Sequence, residues 1–158
     1  MDFEHVIQIN DPRLPDAVVV DAAALWTALL RAAREPWRVR PELDTVEVRP
    51  ISELCWRRTL GFGALEVIDE ISADVASARI TQRILAPPTL AGGSRTVAIE
   101  SPAPGHLILR FRYHSPHVDA DPQIGEDHRS AFRSAYLQSD LAQVRLLRGI
   151  IEGTLPHR

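Results

Sequence analysis

Four strongly polar side chains, His5, Arg58, Asp69 and Gln82, fall in phase with runs of alternating apolar residues. Chemistry in this chain would start with them. A polar group on an otherwise apolar sheet face must find a partner or lose about 1 to 3 kcal/mol. A turn centred near Phe62-Gly63 sets Arg58 opposite Val67 and diagonal to Asp69, within reach of an ion pair. Two readings of that pair stay open. It is either structural, at a cavity rim or under a helix, or a recognition device in which Arg58 binds a ligand carboxylate or enolate and Asp69 orients it. His5 is either a satisfied edge or core histidine or a general base, since an ordinary imidazole titrates at about pH 6.5. Tyr113 and Tyr136 are either donors to a ligand carbonyl or buried rings with a wet hydroxyl.

Other reactive patterns are missing. His114-Ser115-Pro116-His117 and His128 superficially resemble metal ligands, but Pro116 breaks helical spacing and no acidic residue stands in register, so no metal site is expected. The chain has no Gly-x-Ser-x-Gly elbow, phosphate loop or dinucleotide fingerprint, and Gly61-Phe62-Gly63 reads as a turn. Cys55 is the single cysteine, which excludes an intrachain disulfide and a cysteine-based zinc cluster. No cofactor is expected.

The polar residues need a scaffold that brings them to one face. Residues Phe3 to Asn10 alternate as a strand, stopped by Asp11-Pro12. Asp21 caps a helix from about Ala22 to Ala33, with Leu25, Trp26, Leu29 and Leu30 along its apolar stripe, and Pro36 and Pro41 bracket a linker holding Trp37. From Leu43 to His114 the period is two, with turn residues at intervals of about ten, the signature of an antiparallel meander. Its strands are predicted over Thr45–Arg49, Glu53–Leu60, Ala64–Ser72, Ala76–Leu85, Arg95–Glu100 and His106–His114. The pattern turns helical again from about Glu126 to Glu152, where Phe132, Ala135, Tyr136, Ala142, Leu146, Leu147, Ile150 and Ile151 recur at three and four, and Gly153 is the C-terminal cap. Such a helix is about 40 Å long, enough to cross the sheet and cover its apolar face.

The predicted architecture is therefore α+β of helix-grip type over 1–158, as a single domain. A curved seven-stranded antiparallel sheet wraps the long C-terminal helix, a short helical segment lies between the first two strands, and the sheet's curvature leaves internal space for a ligand. Its candidate ligand-facing residues are His5, Trp56, Arg58, Val67, Asp69, Gln82, Phe111 and Tyr113 from the sheet and Phe132 and Tyr136 from the helix. Trp26 and Trp56 read as core; Trp37, in the linker, stands where an aromatic would gate entry.

In the order and spacing of several segments the chain resembles the START-like, or SRPBCC, superfamily of birch-allergen-type domains, and more narrowly its AtaL-like group. Those segments are Phe3 to Pro12, Leu25-Trp26, Arg57 to Gly63 with Val67-Ile68-Asp69, Gly105 to Tyr113, and Ala135-Tyr136. The resemblance implies a helix-grip fold and a cavity. Members bind lipids, sterols, polyketides, hormones or quinones and some are cyclases, so it implies no single reaction.

Composition narrows the partners. Hydrophobic residues make up 45% and charged residues 25% of the 158, which is ordinary for a globular chain. The formal charge of −3 gives no field for nucleic acid or an anionic membrane, and all 18 basic residues are arginine. With no apolar run long enough to span a membrane, no leader pattern at Met1 to His5 and one cysteine, a cytoplasmic location is expected. The leading expectation is a carrier or accessory protein for a hydrophobic lipid-, polyketide- or quinone-like metabolite. One alternative is a cyclase or dehydratase in which His5, Arg58 and Asp69 converge on a carbonyl. The other is an interaction module, monomeric or homodimeric, using a convex face charged by Arg57, Glu66, Glu70, Arg79, Arg83, Arg110 and Arg112.

Overall fold

The computed structural model describes residues 1–14 and 16–153, and the remainder of the predicted 1–158 domain lies outside them. Strand β1 (Asp2–Asn10) leads to helix α1 (Ala22–Arg34), a 3₁₀ turn (Pro36–Arg38) and six strands: β2 (Thr45–Ser52), β3 (Cys55–Phe62), β4 (Leu65–Asp74), β5 (Arg79–Ala86), β6 (Ser94–Glu100) and β7 (Leu107–His114). A short helix α2 (Pro116–Ala120), unforeseen from sequence, precedes the long helix α3 (Glu126–Ile151). The strands form one antiparallel sheet in the order β1-β7-β6-β5-β4-β3-β2, so the meander is complete and β1 closes against its last strand. This is the helix-grip α+β fold.

Local chemistry accounts for the boundaries. The Asp21 carboxylate accepts from the Ala24 amide at 3.3 Å, capping α1 as predicted. Glu35 ends α1 and accepts from Arg31 Nε and Arg38 Nε at 2.8 and 2.6 Å, tying the helix to the 3₁₀ turn that Pro36 begins. Gly153 closes α3 with a φ of 75°, which a residue with a β-carbon adopts at a cost.

Alternation holds along the sheet. Ile7, Ile9, Trp56, Ile71, Ile80, Val97, Leu109, Phe111 and Tyr113 form one buried core on the concave side with Leu25, Leu29, Val144 and Leu147 of the helices, and Leu60 and Val67 are buried on the same face. The β3–β4 register departs from expectation. The turn residues are Gly63 and Ala64, with Gly63 at a φ of 59°, so Arg58 lies directly opposite Asp69 and Val67 faces Leu60. A two-residue slip of this kind keeps every side chain on its predicted face.

The apolar stripe of α3 also differs. Ala135, Ala142 and Phe132 are exposed, and the buried positions are Asp140, Val144, Leu147, Gly149 and Ile150, so close packing belongs to the C-terminal half. On the convex face Arg57 and Arg83 pair with Glu70, Arg110 pairs with Glu4 and Glu100, and Arg112 pairs with Glu4. That surface is a solvated ionic lattice. No helix among the described residues is long and apolar enough to cross a membrane.

Candidate ligand-binding site

Between the concave sheet, the end of α1 and one side of α3 lies a cavity of about 410 Å³. That is the size of a small-molecule pocket. Leu29, Ala33 and Val39 wall it at the α1 end, Leu60, Val67, Ile71, Ile80, Ile84, Val97 and Phe111 form the sheet wall, and Val144 and Leu147 come from α3.

A band of polar side chains crosses this apolar wall from β3 to β7. It begins at Arg58, whose Nε and Nη2 donate to the two oxygens of Asp69 at 2.8 and 2.6 Å and whose Nη1 donates to the Ala33 carbonyl at 3.1 Å. Gln82 Nε2 adds a third donor to Asp69 at 2.6 Å. Gln82 is the cross-strand partner of Arg95, and Arg95 that of Tyr113. Below this row Trp56 pairs with Ile71 and Ile80 with Val97, so the face returns at once to hydrocarbon.

At the far end, Arg95 donates through Nε to the Tyr113 hydroxyl at 3.0 Å and through Nη2 to Asp140 Oδ1 at 2.7 Å. Tyr113 donates to Asp140 Oδ2 at 2.5 Å, and His5 Nε2 meets the same oxygen at 2.8 Å. Asp140 is 1% exposed in the middle of α3, and its carboxylate is held by hydrogen bonds to side chains from three strands. Burial disfavours the Arg95 charge, but Asp140 and Tyr113 outweigh it and hold the guanidinium above its ordinary range. Burial likewise raises the Tyr113 phenol, Asp140 raises it further, and the opposing pull of Arg95 does not restore it. Tyr113 stacks at 4.9 Å on Phe3 and lies 4.5 Å from the Tyr136 ring, which fixes its hydroxyl toward α3.

Arg58, Val67, Gln82, Phe111, Tyr113 and Tyr136 of the sequence-predicted set line the cavity. The others lie elsewhere. Asp69 is fully buried behind Arg58, and Trp56 is buried with the Arg34 guanidinium 4.6 Å above its ring. His5 sits behind Asp140 with its ring 5.4 Å from Phe111, and Phe132 is 36% exposed on α3. Trp37 is exposed, although its neighbours Pro36, Val39 and Arg40 are lining residues. His5, Arg58 and Asp69 do not converge on one point: β1 and β3 are separated by four strands, and His5 bonds Asp140 whereas Arg58 bonds Asp69.

Arg95 and Asp140 escaped the sequence reading, and polarity is not confined to the Arg58–Asp69 patch. Both carried a signal. Arg95 is in phase with Val97 and Ile99, and Asp140 is in phase with Tyr136, Val144 and Leu147. His117 is a further lining residue, and its Nδ1 is buried with no hydrogen-bond partner among the described residues. Among those residues no group of His, Cys, Asp and Glu can hold a metal ion.

A family model described as acetylaranotin biosynthesis cluster protein L, AtaL, matches residues 7–153. The chain belongs to the AtaL family. This places the AtaL-type chain in the SRPBCC, birch-allergen-like helix-grip superfamily, in keeping with its structural neighbours. The Zhui aromatase/cyclase of Streptomyces sp. R1128 superposes with a TM-score of 0.62 at 15% identity, over 96% of this chain and 93% of that one. The di-domain aromatase/cyclase StfQ of the steffimycin biosynthetic pathway gives 0.68 at 14% identity over 97% of this chain, which spans 51% of StfQ. Ara h 8.0201 gives 0.60 at 14% identity over 97% of this chain and 99% of its own. At such identities the likeness concerns the fold. Comparison with curated proteins finds no match.

Proposed function

We propose that this AtaL-family chain binds a largely apolar small molecule in its internal cavity, as a carrier or accessory protein in the biosynthesis of an oxygenated metabolite. The carrying observation is the cavity of about 410 Å³, walled by aliphatic and aromatic side chains on the sheet and both helices and crossed by one polar band. The family's biosynthetic description and the aromatase/cyclase neighbours support the same ligand class. Binding, rather than turnover, fits an Arg58 each of whose three nitrogens donates to a protein acceptor and a His5 held behind Asp140.

The test is fluorescence titration with the uncharged probe N-phenyl-1-naphthylamine. The wild-type chain should enhance and blue-shift its emission. Val144→Trp, which projects a larger ring into the cavity from α3, should weaken binding at least about fivefold without unfolding the chain. No enhancement by the folded wild-type chain overturns the reading.

A further inference from the structure

The cavity's guanidinium groups are each paired with a carboxylate. Among the described residues three guanidinium groups line the cavity: Arg58 pairs with Asp69, Arg95 with Asp140, and Arg40 with Glu42. Among the described residues, an anionic ligand would meet no lining guanidinium that lacks a carboxylate. It would also stand close to Asp140, where a second negative charge is opposed by a desolvated carboxylate. Tyr113 reports the same environment, because burial and Asp140 make its phenolate harder to form even with Arg95 alongside.

The donors are not matched in the same way. Arg58 spends Nε, Nη1 and Nη2 on protein acceptors. Arg95 spends Nε on Tyr113 and Nη2 on Asp140 and, at 3.5 Å, on Gln143, whereas its Nη1 meets no acceptor among the described residues. That nitrogen is not sealed off, since Arg95 lines the cavity and its side chain keeps 24% of its exposure. A guanidinium donor that is charge-compensated yet open suits a neutral oxygen acceptor better than an ion, because it gains a charge-assisted hydrogen bond without desolvating a ligand charge.

We propose that the ligand is uncharged and anchors a carbonyl-type oxygen on Nη1 of Arg95. This rests on the cavity-binding reading and specifies the polar end of its ligand. Arg95 becomes the specificity-determining residue, and Arg58, which the sequence suggested, becomes a structural one.

The experiment compares three near-isosteric probes by equilibrium dialysis at about pH 8: 2-acetylnaphthalene, 2-naphthoate and 2-isopropylnaphthalene. With no polar anchor the hydrocarbon, being the most apolar, binds tightest. The Arg95 anchor predicts that the ketone binds at least as tightly as the hydrocarbon and roughly tenfold tighter than the carboxylate. In Arg95→Lys, which keeps a cation beside Asp140 but lacks the open nitrogen, the ketone should lose roughly tenfold and the hydrocarbon less than about twofold. The wild-type series decides the matter even if that variant does not fold. A carboxylate that binds as tightly as the ketone, or a hydrocarbon that outbinds it, overturns the anchor and leaves the cavity reading standing. Retention of none of the three removes both.

Discussion

Asp69→Asn isolates the role of the Arg58–Asp69 pair. Asp69 is 0% and Arg58 8% exposed, so the substitution leaves a guanidinium in the protein interior without its counter-charge. It also sets an amide NH₂ against donors from Arg58 and Gln82 that now lie 2.6 to 2.8 Å from the carboxylate. Removing one partner of a buried pair costs about 3 to 5 kcal/mol, because the surviving charge is uncompensated. At about 2 to 4 °C per kcal/mol for a chain of this size, the melting temperature should fall by roughly 6 to 20 °C. Urea unfolding followed by circular dichroism gives the free energy directly. The double variant Arg58→Met, Asp69→Leu removes both charges and should recover at least half of the loss, since a buried pair replaced by hydrocarbon is often neutral. A cost below about 1 kcal/mol for Asp69→Asn, or a double variant whose loss equals the sum of the single losses, would refute the assignment of this pair to structure.

Two further outcomes follow from the same geometry. Asp140→Asn should destabilise the chain by about 3 to 5 kcal/mol in urea, because Arg95 loses its buried counter-charge while Tyr113 loses its carboxylate acceptor. The carboxyl of Glu35 is held below its ordinary value, first by the Arg38 hydrogen bond and then by that of Arg31. A depressed folded value means stability that is present above the unfolded value of 4.5 and is lost as pH falls through the folded one. Melting curves from neutral pH into acid should therefore show Glu35→Gln below wild type near neutrality, with the gap closing in acid. A gap that stays constant with pH would remove the ionic role of Glu35.

Most of the scaffold was legible because its signals are local. Alternation set the faces of all seven strands, and Asp21 and Gly153 marked helix ends through capping chemistry that involves only their neighbours. The β3–β4 register slipped because Gly61, Gly63 and Ala64 allow more than one turn, and the positive φ settles on Gly63. The Arg58–Asp69 pair survived the slip because both residues remain on one face.

The second half of the site was not legible, and distance along the chain is the reason. Asp140 gathers hydrogen-bond partners from 135, 45 and 27 positions away, so no window of sequence joins His5, Arg95 and Tyr113 to it. What could be read was a charged residue in phase with a buried stripe at both Arg95 and Asp140, two opposite charges awaiting a partner. Phe132 erred the other way. It kept helical phase with the apolar stripe, but it lies in the half of α3 that is mostly exposed.

The most direct measurement is a methyl-resolved NMR titration of the 17.6 kDa chain with 2-acetylnaphthalene. Saturable shifts at Leu60, Val67, Val97, Val144 and Leu147, with Val6 and Val75 on the exposed surface unmoved, are the predicted result. Shifts confined to exposed methyls, or none at millimolar probe, would contradict an internal binding cavity.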